Sequence, residues 1–130
     1  MGSRQSNMEN PKMDNDYPDT LESHETRLSH QCAVYIPVQQ NESATVGLSA
    51  TVQRVAKELC NAFGGATVQR VTGLWVNAAG QVIEDIIDRV YSFHNNESAT
   101  DILRHIGLTV KVELSQESVL IEIDGQAILL

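Results

Sequence analysis

The sequence predicts an α+β domain in the order strand, helix, strand, strand, helix, strand, with an antiparallel sheet and two helices on one face. Three observations carry this. The apolar period switches from two to about 3.6 and back along residues 31–130. A Gly64-Gly65 pair stops the first helical stripe. The hexapeptide ATVQRV occurs at 50–55 and again at 66–71, first in a helical and then in an alternating context.

The first strand is expected in CAVYIPV, from Gln31. Val34, Ile36 and Val38 point one way, Ala33 and Tyr35 the other, and Pro37 marks a bulge, an edge or the strand end. The first ATVQRV then enters a helix. Val52, Val55, Ala56, Leu59 and Phe63 form one stripe, with Ser49 as the N-cap. The second copy follows the Gly-Gly stop and alternates, Thr67, Gln69 and Val71 against Ala66, Val68 and Arg70. It is strand, because neighbours outweigh intrinsic propensity. A turn at Asn77–Gly80 leads into QVIEDIIDRVYSFH. Val82, Ile83, Ile86, Ile87 and Val90 also fit a helical stripe, but the turn, the β-branched content and the need for a hairpin partner favour a strand.

The pentapeptide NESAT occurs at 41–45 and 96–100, each time ahead of a helical stripe. In the second copy Asn96 or Ser98 can cap, and Ser98 with Asp101 resembles a capping box. Ile102, Leu103, Ile106, Val110 and Leu114 form the second apolar stripe, which Gly107 and the β-branched residues after it weaken. SVLIEI is the last strand, and Asp124-Gly125 predicts a hairpin into QAILL. This order is the ferredoxin-like split βαβ pattern, βαββαβ. FGGAT (63–67), GLWV (73–76), the turn glycine Gly80 and QESVLIEIDGQAIL (116–129) resemble a small uncharacterised bacterial and mobile-element family of ferredoxin-like proteins. The resemblance covers residues 31–130 and implies a fold, not an activity.

The chain has 130 residues and a net charge of −8, enough for one domain. Residues 1–30 are polar and acidic and are expected to form a disordered or extended arm ahead of a domain at 31–130. No Lys/Arg cluster supports phosphate-backbone contact, so direct nucleic-acid binding and an anionic membrane are both disfavoured. No run approaches the roughly 18 apolar residues of a span, which with the absence of a secretory signal suggests a cytoplasmic protein. Cys32 and Cys60 lie 28 residues apart, fit no zinc pattern, and are expected to be buried thiols.

No catalytic motif stands out, and no metal site or cofactor is expected. Glu84, Asp85 and Asp88 read as solvated strand charges paired with Arg70 or Arg89. The residue types suited to a ligand or partner are Arg70, Trp75, Arg89, Tyr91 and His94, on the two hairpin strands. They present an open sheet face, or else Trp75 and Tyr91 enter the core and the arginines face water. The favoured expectation is a non-enzymatic interaction module, a homodimer or higher homo-oligomer formed through that face, taking a protein or small-molecule partner. One rival is an acidic inhibitor mimicking a nucleic acid at a basic groove. Another is a small ferredoxin-like oxygenase or isomerase using His94, His105 and Glu84, in a pocket between sheet and helices.

Overall fold

The computed structural model describes residues 24–39 and 47–130. Most of the expected N-terminal arm, and the first NESAT, lie outside the described residues. The elements are β1 (His30–Pro37), α1 (Ala50–Phe63), β2 (Thr67–Val76), β3 (Val82–His94), α2 (Ala99–Glu113), β4 (Leu120–Ile123) and β5 (Gln126–Leu129). They build one antiparallel sheet in the order β2-β3-β1-β4-β5, the α+β arrangement expected, with β5 added at one edge.

The first ATVQRV is helical and the second is strand. Ser49 caps α1 by accepting the Val52 N–H at 3.2 Å, and Gly64 closes it with a φ of 93°. That left-handed angle favours glycine, and the chain leaves the helix there. Residues 82–94 are one strand, which settles the ambiguity in favour of β. Asn77 shapes the β2–β3 turn: its Oδ1 accepts the Ala79 and Gln81 N–H groups. Asp124 and Gly125, with φ of 50° and 81°, form the tight β4–β5 turn.

The pleat assigns the two faces. Cys32, Val34 and Ile36 of β1, Val90 of β3 and Ile121 of β4 point at the helices and are fully buried. Val52, Val55 and Leu59 of α1 and Leu103, Ile106 and Val110 of α2 complete the core. Burial pushes the Cys32 thiol up to about 11, so it stays protonated. Cys60 departs from expectation: it is exposed on α1, because it falls one position past the buried Leu59 and off the stripe. The second cap also differs. The Ser98 side chain makes no cap bond, and the capping box with Asp101 does not form. Instead the Asn96 side chain accepts the Ser98 N–H at 2.7 Å and shapes the turn into α2.

Gly107 does not end α2, which runs on to Glu113. It packs tightly against β4 and the C-terminal residue. A Cβ there would meet Leu130 Cδ1 and lie 3.0 Å from Ile121 Cγ2. Gly107→Ala gains about 1 kcal/mol of helix propensity but overpacks the contact by about 1–3 kcal/mol. The expected result is a net loss of about 1 kcal/mol, seen as a lower urea midpoint at unchanged m-value.

Candidate functional site

The face of the sheet away from the helices carries a compact polar and aromatic cluster. Tyr35 pairs across with Arg89, and Ala33 sits between Tyr91 on one side and Glu122 on the other. Period-two geometry therefore puts Tyr35, Arg89, Tyr91 and Glu122 on one face of three adjacent strands, β3, β1 and β4. The small, buried Ala33 is the floor between the larger side chains.

The Tyr35 hydroxyl donates to Glu122 Oε1 at 2.8 Å and accepts from Arg89 Nε at 3.0 Å. Arg89 Nη2 reaches the same Glu122 oxygen at 3.2 Å. The guanidinium carbon lies 4.5 Å from the Tyr91 ring centre and 5.7 Å from that of Tyr35, and Phe93 meets Tyr91 edge-on. The Arg89 side chain is only 14% exposed, on a face that no described helix covers. Burial opposes its charge, but the bonds to Tyr35 and Glu122 outweigh that and raise its pKa. Burial, followed by the bond to Glu122, raises the Tyr35 pKa, so the phenol keeps its proton.

Toward the hairpin turn, β2 and β3 extend as an arm. Leu74 is 65% exposed and Trp75 51%, and Val76, Val82 and Ile86 are also exposed. The Trp75 indole donates to Asp85 at 2.7 Å. Trp75 faces Ile83 across the hairpin, six residues along β3 from Arg89, or about 20 Å.

The opposite end of the sheet carries two clefts that share His94. One, about 520 Å³, is lined by Leu28, Phe63, His94 and Asn95; the other, about 220 Å³, by His30, His94, Thr100 and Asp124. The His94 ring stacks between Phe63 and His30, with centroids 4.7 Å and 5.7 Å away. Its Nδ1 accepts the Asn96 N–H at 3.0 Å, so the neutral ring carries its proton on Nε2, which is buried with no partner among the described residues. His30 Nδ1 lies 2.9 Å from Asp124 Oδ2, and Asn95 ties residues 27 and 29 to the β3–α2 loop.

The five residues singled out in the sequence therefore divide. Arg89 and Tyr91 share the open-face cluster, and Trp75 lies on the same face but far along the arm. Arg70 and His94 are on the helix side of the sheet, because Arg70 lies two positions from the partly buried Val68 and His94 four from the buried Val90. Arg70 grips the buried Asp88 with two 2.9 Å bonds, Nε to Oδ1 and Nη2 to Oδ2. Tyr35 and Glu122 were missed, since each pairs with Arg89 only through the order of β3, β1 and β4. His94, His105 and Glu84 do not converge: His94 is buried at a strand end, His105 is exposed on α2, and Glu84 is exposed on the arm. An aliphatic core packs between sheet and helices, and neither cleft at His94 is lined by His105 or Glu84. Among the described residues no three metal-ligating side chains cluster, and no helix is long and apolar enough to cross a membrane. The described acids are spread over both faces and ends and several are paired, at Arg54, Arg70, Arg89 and His30, which undercuts a nucleic-acid mimic.

No family model matches the chain, and no curated protein does. Two solved structures share its fold. A phage SAM lyase in complex with S-methyl-5'-thioadenosine superposes with a TM-score of 0.59 at 14% identity, covering 81% of this chain and 93% of that one. The apo state of a phage SAM lyase gives 0.57 at 16% identity, covering 82% and 94%. The fold is shared with an enzyme. The expectation of a non-enzymatic binding module is overturned by that likeness, and of the readings weighed from the sequence the small ferredoxin-like enzyme fares best.

Two structural roles can be checked directly. Arg70→Leu leaves Asp88 buried without its fork and is expected to cost about 2 kcal/mol, part of it restored in Arg70→Leu/Asp88→Leu, by denaturant titration of both variants. His94 has a pKa below its ordinary value of 6.5, chiefly from burial and then from the like charge of His30, against a pull from Asp124. A folded pKa below the unfolded one makes protonation favour unfolding. The stability contributed by neutral His94 is complete above about pH 6.5 and falls as pH drops through the folded value. The urea midpoint of His94→Phe, which keeps the ring stack, is expected to fall less than the wild type's between about pH 6.5 and 5.

Proposed function

We propose that this chain is a lyase acting on S-adenosylmethionine (SAM), with the open sheet face as its substrate surface. The observation that carries the reading is the shared fold, spanning 93% of a phage SAM lyase with S-methyl-5'-thioadenosine bound. The open face supports it chemically. SAM joins a purine, a sulfonium cation and an amino-acid end. Aromatic faces attract such a cation, and carboxylates and a guanidinium supply the polar contacts. Tyr91, Phe93, Arg89 and Glu122 offer these groups together.

The reaction class follows from the product. S-methyl-5'-thioadenosine keeps the methyl and the adenosyl carbon on sulfur, so the bond that breaks joins sulfur to the amino-acid side chain. Its electron pair moves to sulfur, which becomes a neutral thioether. The four-carbon fragment closes on its own carboxylate oxygen or loses a proton from the neighbouring carbon, and no water is consumed. The protein's part is to hold the chain bent, exclude water and match the fading positive charge.

Among the described residues no element of a single copy packs over this face, and the two clefts described above lie at the His94 end. We therefore take the working form to be a homo-oligomer in which a second copy roofs the face. On that face of the arm the exposed Trp75, with Ile83 across from it, supplies apolar contact for it. A cytoplasmic location goes with this substrate.

Incubating the full chain with SAM and following products by liquid chromatography and mass spectrometry is the test. S-methyl-5'-thioadenosine should accumulate together with a four-carbon product lacking added water at early times. Release of methionine, transfer of the methyl group, or no turnover would each overturn the reading. Trp75→Glu is expected to lower the oligomer mass in light scattering and to reduce turnover with it.

A further inference from the structure

We infer that Arg89 and Glu122, bridged by Tyr35, form the subsite for the zwitterionic α-amino-acid end of the substrate. This rests on the reading above and says which part of the molecule the cluster recognises. An α-amino acid presents a carboxylate and an ammonium on one carbon. Its complement is a cation and an anion fixed side by side, each with a hydrogen-bonding edge to spare.

The two arginine–carboxylate pairs of the sheet make the contrast. On the helix side, Arg70 and Asp88 form a two-pronged fork that uses both carboxylate oxygens. Such a pair is complete. On the open side, Glu122 accepts both of its bonds on Oε1, from Tyr35 and from Arg89. Its Oε2 and the Nη1 of Arg89 have no partner among the described residues. The pair is held together by the tyrosine hydroxyl, not by its own fork, and half of each charged group remains for a ligand. A pair kept for stability alone would gain from closing that fork, since the two-pronged geometry is the stronger one.

The surroundings fit the same occupant. Tyr91 stacks on the guanidinium and fixes its plane. Low exposure of the Arg89 side chain strengthens contacts made to its charge. With its carboxylate on Arg89 and its ammonium on Glu122 Oε2, a SAM molecule would extend its sulfonium along the sheet over the Tyr91 and Phe93 rings. A product without the amino-acid end would lose the subsite altogether and leave.

Binding of SAM, S-methyl-5'-thioadenosine and L-methionine is measured by calorimetry on the full chain and on Arg89→Gln, Arg89→Lys and Glu122→Gln, with turnover of SAM in parallel. Arg89→Gln is expected to weaken SAM about 10- to 100-fold, in line with loss of a charged hydrogen bond, and to leave S-methyl-5'-thioadenosine within about twofold. Arg89→Lys should fall between, because it keeps the charge and loses the fork. The subsite is overturned if Arg89→Gln weakens both ligands equally, or neither. A wild type that turns SAM over while the variants show either pattern removes this inference and leaves the lyase reading standing. A wild type that binds L-methionine, shifts the amides of residues 35, 89 and 122 in NMR spectra, and yet never cleaves SAM keeps the subsite and removes the lyase. A wild type that binds neither SAM nor L-methionine overturns both.

Discussion

The pairing of β1 with β3 on one side and β4 on the other fixes what every side chain of the sheet meets. A strand side chain alternates faces with each residue, so a slip of one would expose Val34 and Ile36 and bury Tyr35. The register holds because the inward set is packed by two helices from one side only. Once it is set, Val34 faces Val90 and Ile121, and the outward row follows without further choice. Tyr35 lands beside Arg89, and Glu122 lands within reach of both. The polar cluster thus follows from core packing on the other face, and the same register sets its geometry.

Element length decides the rest. α1 and α2 cover the part of the sheet built from β1, the second half of β3 and β4. β2 and β3 run past that cover. A strand covered on one side needs one apolar row, yet the arm carries apolar residues on both. Leu74, Val76, Val82 and Ile86 lie on the helix side beyond the helices, and Trp75 and Ile83 lie on the other. Among the described residues no element is long enough to reach them.

Much of the fold was legible. Ser49, Gly64 and the Asp124-Gly125 turn sit where cap and turn chemistry puts them, and the two ATVQRV copies took different conformations on opposite sides of one left-handed glycine. Residues 82–90, though favoured as a strand, also fit a helical stripe for a physical reason: a strand apolar on both faces loses the period of two that would mark it. Cys60 misled because a helix stripe drifts, and one residue past Leu59 the chain already faces solvent. The candidate site was legible only in part. Arg89 and Tyr91 are two apart on one strand, so pattern alone joins them. Tyr35 and Glu122 come from positions 54 and 33 residues from Arg89, and only strand order brings them there. His94 and Arg70 could be assigned a face only once the core residues beside them were known.

β2 is one outer edge of the sheet, and no charged side chain occurs from Val71 to Ile83. Edge strands in proteins that stay apart usually carry a lysine, a proline or a bulge, and this stretch has none of them. The acidity of the chain as a whole, net −8, opposes edge-to-edge addition of copies. Colloidal behaviour is thereby tied to the proton: near the sequence pI of about 4.8 the mutual repulsion disappears while the bare edge remains. The acidic composition, uninformative about chemistry, is the solubility device that such an edge requires.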